Sequence, residues 1–513
     1  LLNYNKSFGA NEEHNIQVLL GHETYNLRSY SLSGSKTNVY STDNLELNGA
    51  IVDGKSVGSS FGEYVNEGYF VRGMYEYDGR IFASASYRRD ASSRFHPDHR
   101  WGNFWSVGAA WMINRESWFN APVFSTLKIK ASYGSQGNDA IGMYRYTDLY
   151  VVGNDGNDGF AIQFGSKGNP NITWETNSNL NVGAEFGLWN DRLTGSVDFF
   201  YRLTSDMLFQ VPVTPSLGYT SYWDNIGDMS NTGIEVVLNG DIIRRKNVNW
   251  SANLNLTWVK NKVLSLPETS RDMEVDGHWG FVNGSTFIAE GLPLGTYFLP
   301  EFAGLDAKGD SQWWDYTPES EDKDGNIIPA EWNKVGDYPN NITGDNKSKK
   351  LFGTSQPKVF GGFGTSLYAY GFDFSIAFDY QLGGVIYDGS YAGYMSSPVA
   401  ESLGNNYHRD LLNAWTPDNK NTDIPRFQFG DKYTTATSSR FLISSDYLNI
   451  SNINAGYNFP AKWWKGHIQN LRVYVACDNV WYWSKRKGLD PRGGSNNYYA
   501  PIRTISGGVT LTF

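Results

Sequence analysis

Residues 503–513 close the chain as RTISGGVTLTF. Ile505, Val509, Leu511 and Phe513 share one two-residue phase with Gly507, and Thr504, Ser506, Thr510 and Thr512 fill the other with Gly508. Chain ends are ordinarily polar and irregular. Unbroken alternation up to a final phenylalanine reads instead as a β-strand that must be complete at its last residue.

The same period recurs upstream. In NLNVGAEFGLW (179–189), Leu180, Val182, Ala184, Phe186 and Leu188 alternate with Asn181, Gly183, Glu185 and Gly187. RLTGSVDFFY (192–201), SANLNLTW (251–258) and GFDFSIAFDY (371–380) repeat the pattern. No stretch carries a long pattern of helical period, so the chain is read as all-β.

Composition narrows the class. Aromatic residues make up 16% of the chain and charged residues only 19%, which excludes disorder. A net charge of −10 leaves no basic footprint for nucleic acid. Cys477 is the only cysteine, which rules out an intrachain disulfide or a cysteine zinc site. The opening LLNYNKSFGA lacks a signal peptide's basic start and apolar core. No run of about 18 apolar residues could form a membrane helix, but a β-strand crosses with about 9–11 residues of which only alternate ones are apolar.

A soluble antiparallel sheet with one wet face would show the same alternation. Three features favour a transmembrane antiparallel β-barrel. The strands read as roughly 10–16 residues, against a soluble mode of about 5–6. The polar phase is rich in Asn, Thr, Ser, Gly and Asp, as a watery lumen requires. Connections also alternate: tight near 9–13, 78–79, 114–124, 189–191, 241–247, 369–371 and 460–469, and open near 25–65, 92–100, 135–173, 206–228, 262–357, 384–445 and 484–501. All of the second set but 92–100 are long, which matches short periplasmic turns and long extracellular loops. About 15 strands are expected, the first and last both running toward the periplasm. A single-chain bacterial barrel has an even strand number and no open edge in lipid, so an odd number of strands is expected upstream.

Several blocks then carry a resemblance. YRRDASSRF (87–95) with WGNFWSVGAAWMINRE (101–116), and NPNITWETNSNLNVGAEFGLWNDRLTGSVDFFYRLTSDML (169–208), are the most specific. NIGDMSNTGIEVVLNG (225–240), EGLPLGTYF (290–298), YLNISNINAGYNFP (447–460) and DNVWYWSKRKGLDP (478–491) follow in order. In this succession the chain resembles the SusC/RagA family of TonB-dependent outer-membrane transporters. The resemblance implies a 22-stranded barrel, with plug, TonB box and signal peptide upstream of this sequence. It implies import of oligosaccharides or peptides across the outer membrane of a Gram-negative bacterium, beneath a SusD-like surface lipoprotein, in a dimer of such pairs, driven by TonB, ExbB and ExbD. A passive outer-membrane porin or a non-transporting barrel is the alternative. Phe513 resembles the C-terminal signal read by the barrel assembly machinery.

No catalytic constellation is present, so no enzyme activity is expected. His96 and His99, in HPDH, read as a solvated hairpin loop more readily than as metal ligands. DKDGN (322–326) hints at a calcium loop, but Gly325 is fourth where an EF-hand needs Gly sixth. No other cofactor is expected. Trp313, Trp314, Tyr316 and Trp332 lie in the longest loop, as contacts for glycan or lid, or as packing within the loop. Trp101, Trp105, Trp111 and Tyr368 read as girdles at the outer-membrane lipid interface, and Trp463-Trp464-Lys465 as an anchor in a periplasmic turn.

Overall fold

A computed structural model describes residues 1–513 except 40–45, 48–49, 155, 157–158, 318, 322–326, 329, 339–345, 399–403, 432, 465–467, 488–489, 491 and 493–500. Its main element is one antiparallel sheet of 15 strands whose order follows the chain. The strands are β1 (Leu2–Phe8), β2 (His14–Val39), β3 (Ala50–Tyr77), β4 (Ile81–Ser92), β5 (Trp101–Met112), β6 (Phe124–Asn138), β7 (Glu175–Leu188), β8 (Leu193–Ser205), β9 (Asp228–Arg245), β10 (Val248–Ser265), β11 (Val359–Ala369), β12 (Phe372–Leu382), β13 (Tyr447–Phe459), β14 (Asn470–Ser484) and β15 (Thr504–Thr512).

The expected tight links are turns with fitting chemistry. Asp78 and Gly79 take positive φ of 49° and 61° in the three-residue link between β3 and β4, the left-handed backbone that Asp and Gly accept most readily. The contacts fall into two compact units, one of residues 1–116, 129–182 and 202–229, the other of 117–128, 183–201 and 230–513.

The long connections carry structure of their own. The segment near 135–173 holds a hairpin, Leu149–Asn154 against Phe160–Ser166, and that near 206–228 another, Met207–Pro212 against Ser221–Ile226. Residues 262–357 build a five-stranded sheet around buried Phe287, Ala289 and Phe298. They also build a three-stranded sheet of Phe302–Leu305, Ser311–Thr317 and Glu331–Val335. Residues 384–445 fold around Ala392, Met395, Ala414, Ile424 and Phe441, next to a single helical turn and a half at Gly389–Tyr394.

The stretch near 25–65 differs from expectation. It is not a loop, because β2 and β3 continue as a two-stranded ribbon paired from His14 with Tyr77 to Val39 with Ala50. Serine and glycine recur in both strands there, as in SYSLSGS (29–35) and GKSVGSSFG (54–62), so neither phase is consistently apolar and the period-two signal fades.

Candidate functional site

The register of the sheet sorts its faces. From β10 to β15, apolar side chains stand opposite apolar side chains. Leu254 faces Phe363, Phe363 faces Phe378, Phe378 faces Ile450, and Ile450 faces Trp481. A parallel row runs Trp250, Leu367, Phe374, Ala455, Val475 and Gly507. Val18, Gly73, Ala85 and Val107 make such a row from β2 to β5. This face is exposed: Val475 is 55% accessible, Val107 48% and Val509 67%. Large apolar side chains arrayed strand after strand on an accessible face suit lipid, not water.

The opposite face is polar and laced with hydrogen bonds. Ser251 and Ser366 hydroxyls lie 2.8 Å apart, Asn449 Nδ2 donates to Asp379 at 2.7 Å, and Asn452 Nδ2 donates to Asp478 at 2.7 Å. Arg472 Nη2 reaches Asp373 at 2.5 Å. Trp101, Trp105 and Trp111 share the apolar phase, as read from sequence. Tyr368 does not. It pairs with Asn249 and Asp373 on the polar face, one residue out of phase with Leu367.

The DASSRF motif is a structural latch. Asp139 accepts from Ser92 Oγ at 2.6 Å, Tyr64 Oη at 2.9 Å and Arg94 Nη1 at 3.3 Å. Phe95, fully buried, packs with Phe104, Ile141, Ile172 and Trp174, whose indole donates to the Arg100 carbonyl at 2.8 Å. The motif thus ties the end of β4 to the connection after β6. His96 and His99 close the turn between them, the His99 amide donating to the His96 carbonyl at 2.9 Å. His96 Nδ1 lies 3.4 Å from Asp98. Among the described residues no group of three or more potential metal ligands converges, and DKDGN lies outside those residues.

The four loop aromatics do not act as one site. Trp313 is 1% exposed, with Phe302, Tyr338 and Tyr433 around it at 5.4–6.4 Å between ring centres. It is core, so packing within the loop, the second of the two readings offered for it from sequence, describes it. The adjacent Trp314 points to the other face of the same strand. There Tyr316 pairs with Trp332 across the strands at 5.3 Å. Lys334 stands over the Trp314 ring at 5.2 Å and Lys350 over Trp332 at 4.2 Å. Trp314, Tyr316 and Trp332 therefore form a half-exposed aromatic face edged by two cations.

Residues 384–445 are fastened to the segment after β14. Lys487 Nζ lies 3.2 Å from Asp410, which also accepts from Tyr391 Oη at 2.9 Å. Burial would raise the Asp410 carboxyl, but these two partners hold it below its ordinary value. Burial pushes the Tyr391 hydroxyl up, and Asp410 adds to the effect. Arg440, sealed between Phe302 and Phe441, has its guanidinium lowered by burial to about 10.

A family model described as TonB dependent receptor-like, beta-barrel, matches residues 2–338. The chain belongs to that family. The receptor's 15-stranded sheet is accordingly a TonB-dependent barrel sheet, with lipid on its apolar face. The TonB-dependent receptor P3 of Formosa agariphila is 29% identical over 540 residues, covering 100% of this chain and 52% of that protein. The TonB-dependent receptor SusC of Bacteroides thetaiotaomicron is 28% identical over 460 residues, covering 87% of this chain and 43% of that protein. Among solved structures, the RagAB peptide transporter superimposes with a TM-score of 0.81 at 28% identity, over 100% of this chain and 54% of that one. The receptor chain thus spans about half the length of the curated relatives it matches. These relatives are receptors and transporters of the outer membrane, not enzymes, and the SusC/RagA resemblance read from the sequence holds.

Proposed function

We propose that this chain is the barrel part of an active importer in the outer membrane of a Gram-negative bacterium. Its cargo is bulky and hydrophilic, an oligosaccharide or a peptide. A SusD-like lipoprotein serves as its lid, two such pairs assemble side by side, and TonB, ExbB and ExbD supply the energy. The observation that carries the reading is the superposition of the whole chain on about half of the RagAB peptide transporter, joined to the identity with SusC. The polar sheet face supports it, since a hydrophilic solute needs a wetted path. The folded outer connections support it too, because they offer a lid a firm surface.

Denaturing intact-mass spectrometry of the detergent-extracted native complex tests the proposal. The expected result is a chain of roughly twice 57.6 kDa, since this sequence spans about half its relatives, together with a lipidated companion. A barrel chain with no companion, conducting small solutes passively in planar bilayers, would replace the importer with a porin.

A further inference from the structure

A cavity of about 320 Å³ lies where the Leu149–Asn154/Phe160–Ser166 hairpin meets the Met207–Pro212/Ser221–Ile226 hairpin. A backbone bridge between Lys167 and Tyr222 joins the two. The volume sits at the lower end of the range of roughly 300–1,000 Å³ typical of ligand sites. Arg145, Lys167, Gln210, Tyr219, Tyr222 and Trp223 line it.

The charges around this cavity do not cancel. Lys167 is held by Asp148, with its Nζ 3.1 Å from the carboxylate. Asp224 is engaged by Asn169 Nδ2 at 2.7 Å and by Tyr222 Oη at 3.3 Å. Arg145 has no carboxylate within ion-pair distance among the described residues, and its Nε is sealed from solvent with nothing to donate to. A donor left unsatisfied is costly, and the rest of this guanidinium has no carboxylate partner among the described residues. Its planar fork fits a carboxylate through two parallel hydrogen bonds.

The walls select the molecule that brings the carboxylate. Tyr219 and Tyr222 stand edge-on to each other at 6.5 Å, and Trp223 is anchored on the buried cluster around Phe95 and Trp174. Electron-rich ring faces meet the C–H face of a sugar well. Gln210, set by its hydrogen bond to Ser221 at 2.7 Å, adds amide groups for hydroxyls.

We propose that this cavity captures the carboxylate of an acidic oligosaccharide, a uronate residue, with Arg145 as the anion clamp. The proposal rests on the importer reading and narrows its cargo. The test is calorimetric titration of the purified native complex with tetramers of galacturonate, mannuronate and glucuronate. Methyl-esterified tetragalacturonate and tetra-aspartate are the comparison ligands. The expected result is saturable binding of at least one uronate, no binding of the methyl ester, and loss of roughly tenfold or more in Arg145→Gln. Tyr219→Ala, a change at a half-buried ring, should weaken the same ligand. Retained lipoprotein in both variants shows that the complex still assembles. Absence of uronate binding, binding indifferent to Arg145→Gln, or equal Arg145-dependent binding of tetra-aspartate would each overturn the assignment. If the lipoprotein co-purifies while uronates fail, this inference falls and the importer reading stands.

Discussion

Asp388 and Arg486 form an ion pair closed off from solvent, 3.1 Å apart with each side chain 1% exposed. Asp388 also caps the short helix by accepting from the Tyr391 amide at 3.1 Å, and Arg486 Nη1 donates to the Asp490 carbonyl at 2.8 Å. One pair thus fixes the start of the 384–445 module to the segment after β14. Removing one partner leaves a buried charge uncompensated, at a cost of about 3–5 kcal/mol. Asp388→Ala should therefore loosen residues 385–445 as read by hydrogen exchange. The double change Asp388→Leu with Arg486→Met should be far milder than either single change.

The pH dependence of the same module follows from Asp410. Its carboxyl is held below its ordinary 3.8, so it contributes stability above that value and loses it as pH falls through the lower, folded-state value. Protection of residues 385–445 should be flat from neutral pH to roughly 5 and fall below roughly 4. Lys487→Met should flatten that fall, because one partner that lowers the carboxyl is gone. A decline centred between pH 6 and 7 would refute the assignment to Asp410.

The split among the loop aromatics makes a paired prediction. Trp313→Ala empties a packed core site and should cost the three-stranded sheet about 3–5 kcal/mol, seen as local hydrogen exchange. Trp332→Ala removes a ring that is 36% exposed, so it should leave exchange nearly unchanged. If the aromatic face meets the lid, Trp332→Ala should instead reduce recovery of the lipoprotein with the barrel. Equal exchange effects of both changes would refute the two-face description.

The sequence made the sheet legible because its faces differ in solvent. Lipid on one side and polar groups on the other imprint period two on strands such as β10 and β12, and turn residues such as Asp78-Gly79 mark the breaks. Tyr368 shows the limit. Aromatic content alone assigned it to the lipid face, whereas the phase of its neighbour Leu367 places it on the polar one. The outer modules were opaque for a different reason. Their cores, such as Phe287 with Phe298 and Trp313 with Tyr433, form between short strands and irregular segments separated in sequence, where no period accumulates. The Arg145 cavity left no motif, because its walls come from two hairpins that meet only in the fold.

Charge insertion tests which face meets lipid. Val475 lies on the apolar row and Ala476 on the polar one, opposite Asn454 and Ser506. Arginine on the lipid face of a barrel costs about 2–4 kcal/mol near the bilayer midplane and less toward its edges. Val475→Arg should lower the urea midpoint of the protein folded in lipid, and Ala476→Arg should not. The reverse order would invert the faces.

Phe513 provides a test that separates assembly from stability. The last strand ends at Thr512, whose carbonyl accepts from the Gln469 amide at 2.8 Å, and Phe513 follows it 77% exposed. So accessible a ring has little packing to lose, and its truncation should change the unfolding free energy by no more than about 0.5 kcal/mol. If it serves instead as a tag for the assembly machinery, Phe513→Ala should sharply reduce the folded protein reaching the outer membrane. Protein refolded in detergent should meanwhile show unchanged stability. Normal outer-membrane levels of Phe513→Ala would remove the assembly role and leave the phenylalanine as one more lipid-facing side chain at the foot of the strand.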